Sequence, residues 1–130
     1  MKTIHRKRLA KLADYLDTLP RKKFNFEFII EDDTCGAVGC AIGHCPNVFP
    51  KLVEYDPVLD TIKTKARGTR WYRGIAEELF GVSYDVAGGL FSPGRQESDL
   101  GPNYKDLDSR ATPKQVSKLI RQFLKDPAQK

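Results

Sequence analysis

All three cysteines and one of the two histidines fall within residues 34–45, TCGAVGCAIGHC. Thiols and imidazole are the side chains of nucleophilic catalysis and of zinc ligation. A catalytic thiol would need Cys35 in the first turn of a helix, where the dipole and free amides stabilise a thiolate, together with a base within reach. His44 stands nine residues further on, ~13 Å along a continuous helix, too far to pair with Cys35. Cys40 and His44 share a helical face, but a mid-helix thiol is buried and inert. Asp32 and Asp33 also place negative charge beside Cys35 and disfavour its thiolate. For zinc, Cys35, Cys40, His44 and Cys45 supply four ligands of suitable type. Structural zinc sites join close pairs on turns to a distant second pair. Cys35 and Cys40 diverge by about 140° on a helix, so zinc requires the segment not to be helical.

A third reading asks for no chemistry. Gly36, Gly39, Cys40 and Gly43 recur at i, i+3, i+4 and i+7 and make one helix face nearly flat. Glycine within a helix costs ~1 kcal/mol against alanine, and close approach of a second helix supplies the reason for three of them. Free cysteine packs as a small buried hydrophobe, and Val38, Ala41, Ile42 and Cys45 add a second apolar surface. The preferred expectation is a central packing helix over 35–45, capped by Asp33 or Thr34 and closed by Pro46, with His44 satisfying a carbonyl near its end. No metal or other cofactor is expected on this reading. If zinc is bound, Cys35, Cys40, His44 and Cys45 are its ligands.

The elements around this segment suggest a compact, mainly α-helical domain spanning residues 1–130. With 40% hydrophobic and 30% charged residues in 130, the composition is globular. Lys and Arg outnumber Asp and Glu by 22 to 17, an excess that suits an anionic partner and equally suits solubility. Clustered, odd-numbered cysteines, no apolar run near ~18 residues and no apolar core after MKTIHRKRLAKL point to a reducing cytoplasm, with no membrane contact. Leu9, Leu12, Ala13, Leu16 and Leu19 predict a helix over 4–19 with Arg6, Lys7, Arg8 and Lys11 opposite. FNFEFII predicts the minor extended or β element around residues 24–30. Residues 51–68 are ambiguous, with VLDTIK open to a short helix and KTKARGTR polar and basic. Trp71, Ile75, Ala76, Leu79 and Phe80 predict a helix over 70–80 with Trp71 turned inward, stopped at Gly81. Ser83 caps a second short helix, 84–91. Residues 94–111 form a long polar loop of the kind often used for binding. Thr112, Pro113 and Gln115 open the last helix, 113–125.

Two further segments carry possible contacts. KTKARGTRWYR interleaves bases with aromatics, a pattern suited to phosphates and stacked bases. Lys65, Arg67, Arg70, Tyr72 and Arg73 are its candidate ligand-binding residues, with Tyr72 as the free ring. A solvated basic face is the competing explanation. Residues 75–91 have the outline of a helix-turn-helix. However, the alanine-to-glycine spacing is one residue long, and the second helix carries no Arg, Lys, Asn or Gln to meet base edges.

CGAVGCAIGHCPNVFP, then IAEELFGVS, LFSP and ATPKQVSKLIRQF, resembles a group of short, uncharacterised phage and bacterial proteins with a C-G-T-x-x-C-A-x-G-H/W segment, a Leu-Phe-x-Pro ending and a terminal T-P-x-x-V helix. Ala37 stands where that group usually has threonine. The resemblance implies an origin and transfers no functional residues. The expected function is that of a non-catalytic phage-type accessory protein, acting in the host cytoplasm on a host protein or an anionic nucleotide-type ligand, with a counter-defence role in view. The alternatives are a helix-turn-helix-like nucleic-acid-binding protein and a Cys-dependent or zinc-binding enzyme.

Overall fold

The computed structural model describes residues 1–24, 41–91, 111–127 and the single residues Leu100 and Tyr104. The fold is mainly helical, as the sequence predicts, with a small two-stranded sheet away from the residues where an extended element was expected. Helix α1 runs Thr3–Thr18 and buries Leu9, Leu12, Ala13 and Leu16, the stripe its periodicity sets. Helix α5, Pro113–Lys125, buries Val116, Leu119, Ile120 and Phe123. Its start is fixed by a complete capping box: the Thr112 hydroxyl accepts from the Gln115 amide at 3.2 Å, and the Gln115 side chain accepts from the Thr112 amide at 2.8 Å.

These two helices pack antiparallel. The first turn of α1 meets the last turn of α5, where Arg6 donates to the Leu124 carbonyl at 2.6 Å. Towards the C-terminal end of α1, Arg121 of α5 reaches Asp14 and Asp17, both at 2.7 Å. Arg8 donates to the Leu79 carbonyl at 3.0 Å, and the Lys11 ammonium lies 5.7 Å from the Phe49 ring centroid. Much of the basic side of α1 is therefore occupied in holding other elements.

Helix α3, Tyr72–Phe80, and helix α4, Tyr84–Phe91, form a tight pair. Gly81 ends α3 in the left-handed region, φ 64°, and its amide returns to Glu77 O. An L side chain there would be strained, which is why glycine closes the turn. Ser83 then accepts from the Val86 amide at 3.2 Å and starts α4. Phe80 joins the halves of the core, with ring centroids 6.0 Å from Phe49 and 5.8 Å from Phe91.

Two expectations change, and others lie outside the described residues. The sheet is an antiparallel hairpin of β1, Val53–Asp56, and β2, Thr61–Thr64, with Val53 opposite Thr64 and Asp56 opposite Thr61. VLDTIK is thus not a helix: Val58, Leu59 and Asp60 lie in the hairpin loop, and Thr61 to Lys63 lie in β2. The extended element expected around residues 24–30 lies outside the described residues except for Phe24, which is buried. Of the helix expected over 35–45, residues 35–40 lie outside the described residues, and 41–44 are turns. A one-turn helix, α2, then covers Cys45–Val48 with Pro46 in its first turn. Pro46 opens a helix there, because its missing N–H falls where no intrahelical bond is made. Most of the long polar loop, 94–111, also lies outside the described residues, but Leu100, Tyr104 and Ala111 are buried. No helix among the described residues is long and apolar enough to cross a membrane.

Candidate functional site

The start of α3 and the start of α4 come together and make an aromatic face. Trp71 is the residue before α3, with extended backbone at φ −97° and ψ 152°. That turn of the chain takes its indole off the inward stripe, so Trp71 is 54% exposed, against the expectation that it packs inside. Its ring lies 5.5 Å from that of Tyr84, which opens α4 and is 45% exposed. The Arg73 guanidinium stands 3.9 Å from the Tyr84 ring centroid, a cation–π contact. It also donates to the Tyr84 carbonyl at 3.3 Å and to the Tyr72 hydroxyl at 2.9 Å. Burial opposes the Arg73 charge, but the Tyr72 hydrogen bond, with Tyr84 and Asp85 nearby, outweighs it and holds the pKa above its usual value. Tyr72 is therefore a partly buried anchor for Arg73, and the free rings are Trp71 and Tyr84.

Gly74 sets the position of the indole. A Cβ at this third residue of α3 would sit 2.7 Å from Trp71 Nε1 and 2.7 Å from Thr69 Cγ2. The ring folds back against bare backbone, which accounts for glycine inside a helix.

The other candidate bases divide into two kinds. Arg70 donates to Asp56 at 2.8 Å and ties the loop after β2 to the hairpin. The Arg70 hydrogen bond, helped by the Val58 and Leu59 amides and opposed by burial, holds the Asp56 carboxyl below its usual pKa. Lys65 and Arg67 are exposed, and neither side chain makes an ion pair among the described residues. Of the five residues the sequence singles out, Arg70, Tyr72 and Arg73 are engaged within the fold, and Lys65 and Arg67 present charge that no ion pair among the described residues uses.

A cleft of about 500 Å³ opens beside this face, lined by His5, Arg67, Thr69, Gly74, Glu77 and Glu78. One oxygen of Glu78 accepts from the Thr64 hydroxyl at 3.1 Å and the Thr69 hydroxyl at 2.9 Å. Burial, reinforced by Arg8, Lys2 and the N-terminal amine, lowers the His5 pKa and favours its neutral imidazole. Sequence reading missed Tyr84 and these carboxylates. The one available signal was Ser83, whose capping role leaves the following turn of α4 facing water.

The cysteine segment shows packing where it is described. Cys45 is buried, and its thiol donates to Ala41 O at 3.7 Å. His44 is 2% exposed, with Nδ1 3.4 Å from the Tyr15 hydroxyl, which also accepts from Asn47 at 3.4 Å. Cys35 and Cys40 lie outside the described residues. Among the described residues no three His, Cys, Asp or Glu side chains form a group able to hold a metal ion. A second groove, about 690 Å³, follows α5 past Lys114, Lys118 and Lys125. Its Arg121 is already neutralised by Asp14 and Asp17.

No family model, curated protein or solved structure matches this chain.

Proposed function

We propose that the protein is a non-catalytic accessory protein of phage type that binds a nucleotide-type ligand, an anion bearing an aromatic base, at the Trp71–Tyr84 face. The observation that carries this reading is the pair of half-exposed rings held 5.5 Å apart, with Arg73 against one of them. Stacking a base on such a ring contributes ~1–3 kcal/mol. Lys65 and Arg67 supply unpaired cations for phosphate within the same loop. The resemblance to short phage proteins supports a host component as the source of the ligand, acting in the host cytoplasm.

Two observations rank the other readings. Helix α4 buries Ala87, Gly88, Leu90 and Phe91 and exposes chiefly Tyr84 and Asp85, a surface better suited to stacking than to entering a DNA groove. A host protein is the second reading, favoured by Val58 and Leu59 at the hairpin tip, 87% and 59% exposed. The test uses the only tryptophan in the chain, Trp71. Nucleoside monophosphates and short single-stranded oligonucleotides are titrated while its emission is followed. Saturable quenching that weakens with added salt is expected. Unchanged emission, with no heat of binding by calorimetry at low salt, sinks the nucleotide reading and leaves the hairpin tip.

A further inference from the structure

The cleft beside Trp71 adds hydrogen-bonding chemistry that the stacking face lacks. The indole and the Thr69 methyl both close over the bare backbone of Gly74, and Gly74 and Thr69 line the cleft. A ring stacked on Trp71 therefore lies at the cleft rim. The volume, about 500 Å³, falls within the range of small-ligand sites. What lines it is unusual for an anion site, because two carboxylates stand with one arginine.

We propose that this cleft takes the donor edge of a guanine ring, so that the ligand is a guanine nucleotide, free or within a single strand; this rests on the stacking reading above. The carboxylates carry the choice of base. Glu77 is exposed, and its side chain makes no hydrogen bond or ion pair among the described residues. Glu78 is fixed by two threonine hydroxyls on Oε1, which leaves Oε2 to accept. An ionised carboxylate only accepts. Guanine offers two adjacent donors on one edge, the ring N1–H and the exocyclic amino group, matching the two oxygens of the Glu77 carboxylate, with the remaining Glu78 oxygen as a further acceptor in the cleft. Adenine presents one donor beside a bare ring nitrogen, which sets lone pair against lone pair. Hypoxanthine keeps the N1–H and lacks the amino group. Arg67 lines the same cleft with an unpaired guanidinium, and its planar fork suits a phosphate. His5 enters as a neutral ring and adds no competing charge.

The experiment titrates the intact protein with GMP, IMP and AMP, following Trp71 emission. The expected order is GMP tighter than IMP, and IMP tighter than AMP, with GMP ahead of AMP by about tenfold or more, as one well-formed bidentate base contact gives. Glu77→Gln leaves an exposed, unpartnered position uncharged and should fold normally. It, or Glu78→Gln, is expected to bring GMP within about twofold of AMP while leaving AMP affinity in place. A guanine-containing oligonucleotide that binds more tightly than GMP assigns the base to a strand, and weaker binding assigns it to a free nucleotide. Equal binding of all three nucleotides overturns the cleft assignment and leaves stacking standing. A guanine preference that survives in both Glu variants also overturns it. Failure of every nucleotide to change the emission overturns the stacking reading itself.

Discussion

Gly74 shows how a single missing methyl group shapes a surface. The gain of about 1 kcal/mol that alanine brings to a helix is opposed here by contacts of 2.7–2.8 Å with the Trp71 ring. The indole is half exposed, so it can swing away. Gly74→Ala is therefore expected to keep the fold while shifting the emission of Trp71 and weakening nucleotide quenching; unchanged emission and affinity would contradict this account of the ring's position. The same residue marks where sequence reading stopped. A helical wheel puts Trp71 on the stripe with Ile75 and Leu79, but Trp71 precedes the helix and its extended backbone takes it off the wheel. Tyr72 and Trp71 exchange roles for that reason: the expected free ring became the anchor, and the expected core ring became the free one.

At the scale of elements, periodicity was most informative where caps agreed with it. The stripes of α1 and α5 and the Thr112–Gln115 box were legible because each depends on residues within a few positions of one another. Thr112→Ala leaves the Gln115 amide without its acceptor and is expected to cost about 1 kcal/mol, measured as a lower urea midpoint with unchanged slope. The hairpin was not legible. Its strands are four residues each, its loop has no glycine, and its turn relies on Asp60 at φ 52°. What fixes it is distant in sequence: Arg70 holds Asp56, and the Glu78 carboxylate holds Thr64. The Asp56 carboxyl has a lower pKa folded than unfolded, so its contribution is present above about pH 4, the unfolded value, and fades as pH falls through the folded one. Thermal melts of wild type and Asp56→Asn should differ near pH 6 and converge below about pH 4.

Across the whole molecule, the core is closed by residues far apart in the chain. Tyr104 is buried, and its hydroxyl donates to Asp126 at 2.8 Å, just after α5. Burial first, and then Asp126, push the Tyr104 pKa up to about 12. An unfolded tyrosine ionises near pH 10, so this contribution is complete below about pH 10 and is lost between about pH 10 and 12. Stability should fall through that window, and Tyr104→Phe should flatten the fall; identical alkaline profiles would remove Tyr104 from the account.

The pairing of α1 with α5 also sets an order of events during synthesis. Helix α1 ends at Thr18 and its main partner begins at Pro113. At about 5–20 residues per second, the ribosome needs roughly 5–20 s to supply the intervening chain. For that time Leu9, Leu12 and Leu16 lack the α5 face that completes their cover in the folded chain. A nascent chain stalled before α5 emerges should therefore be a chaperone client, while one released past Lys125 should not.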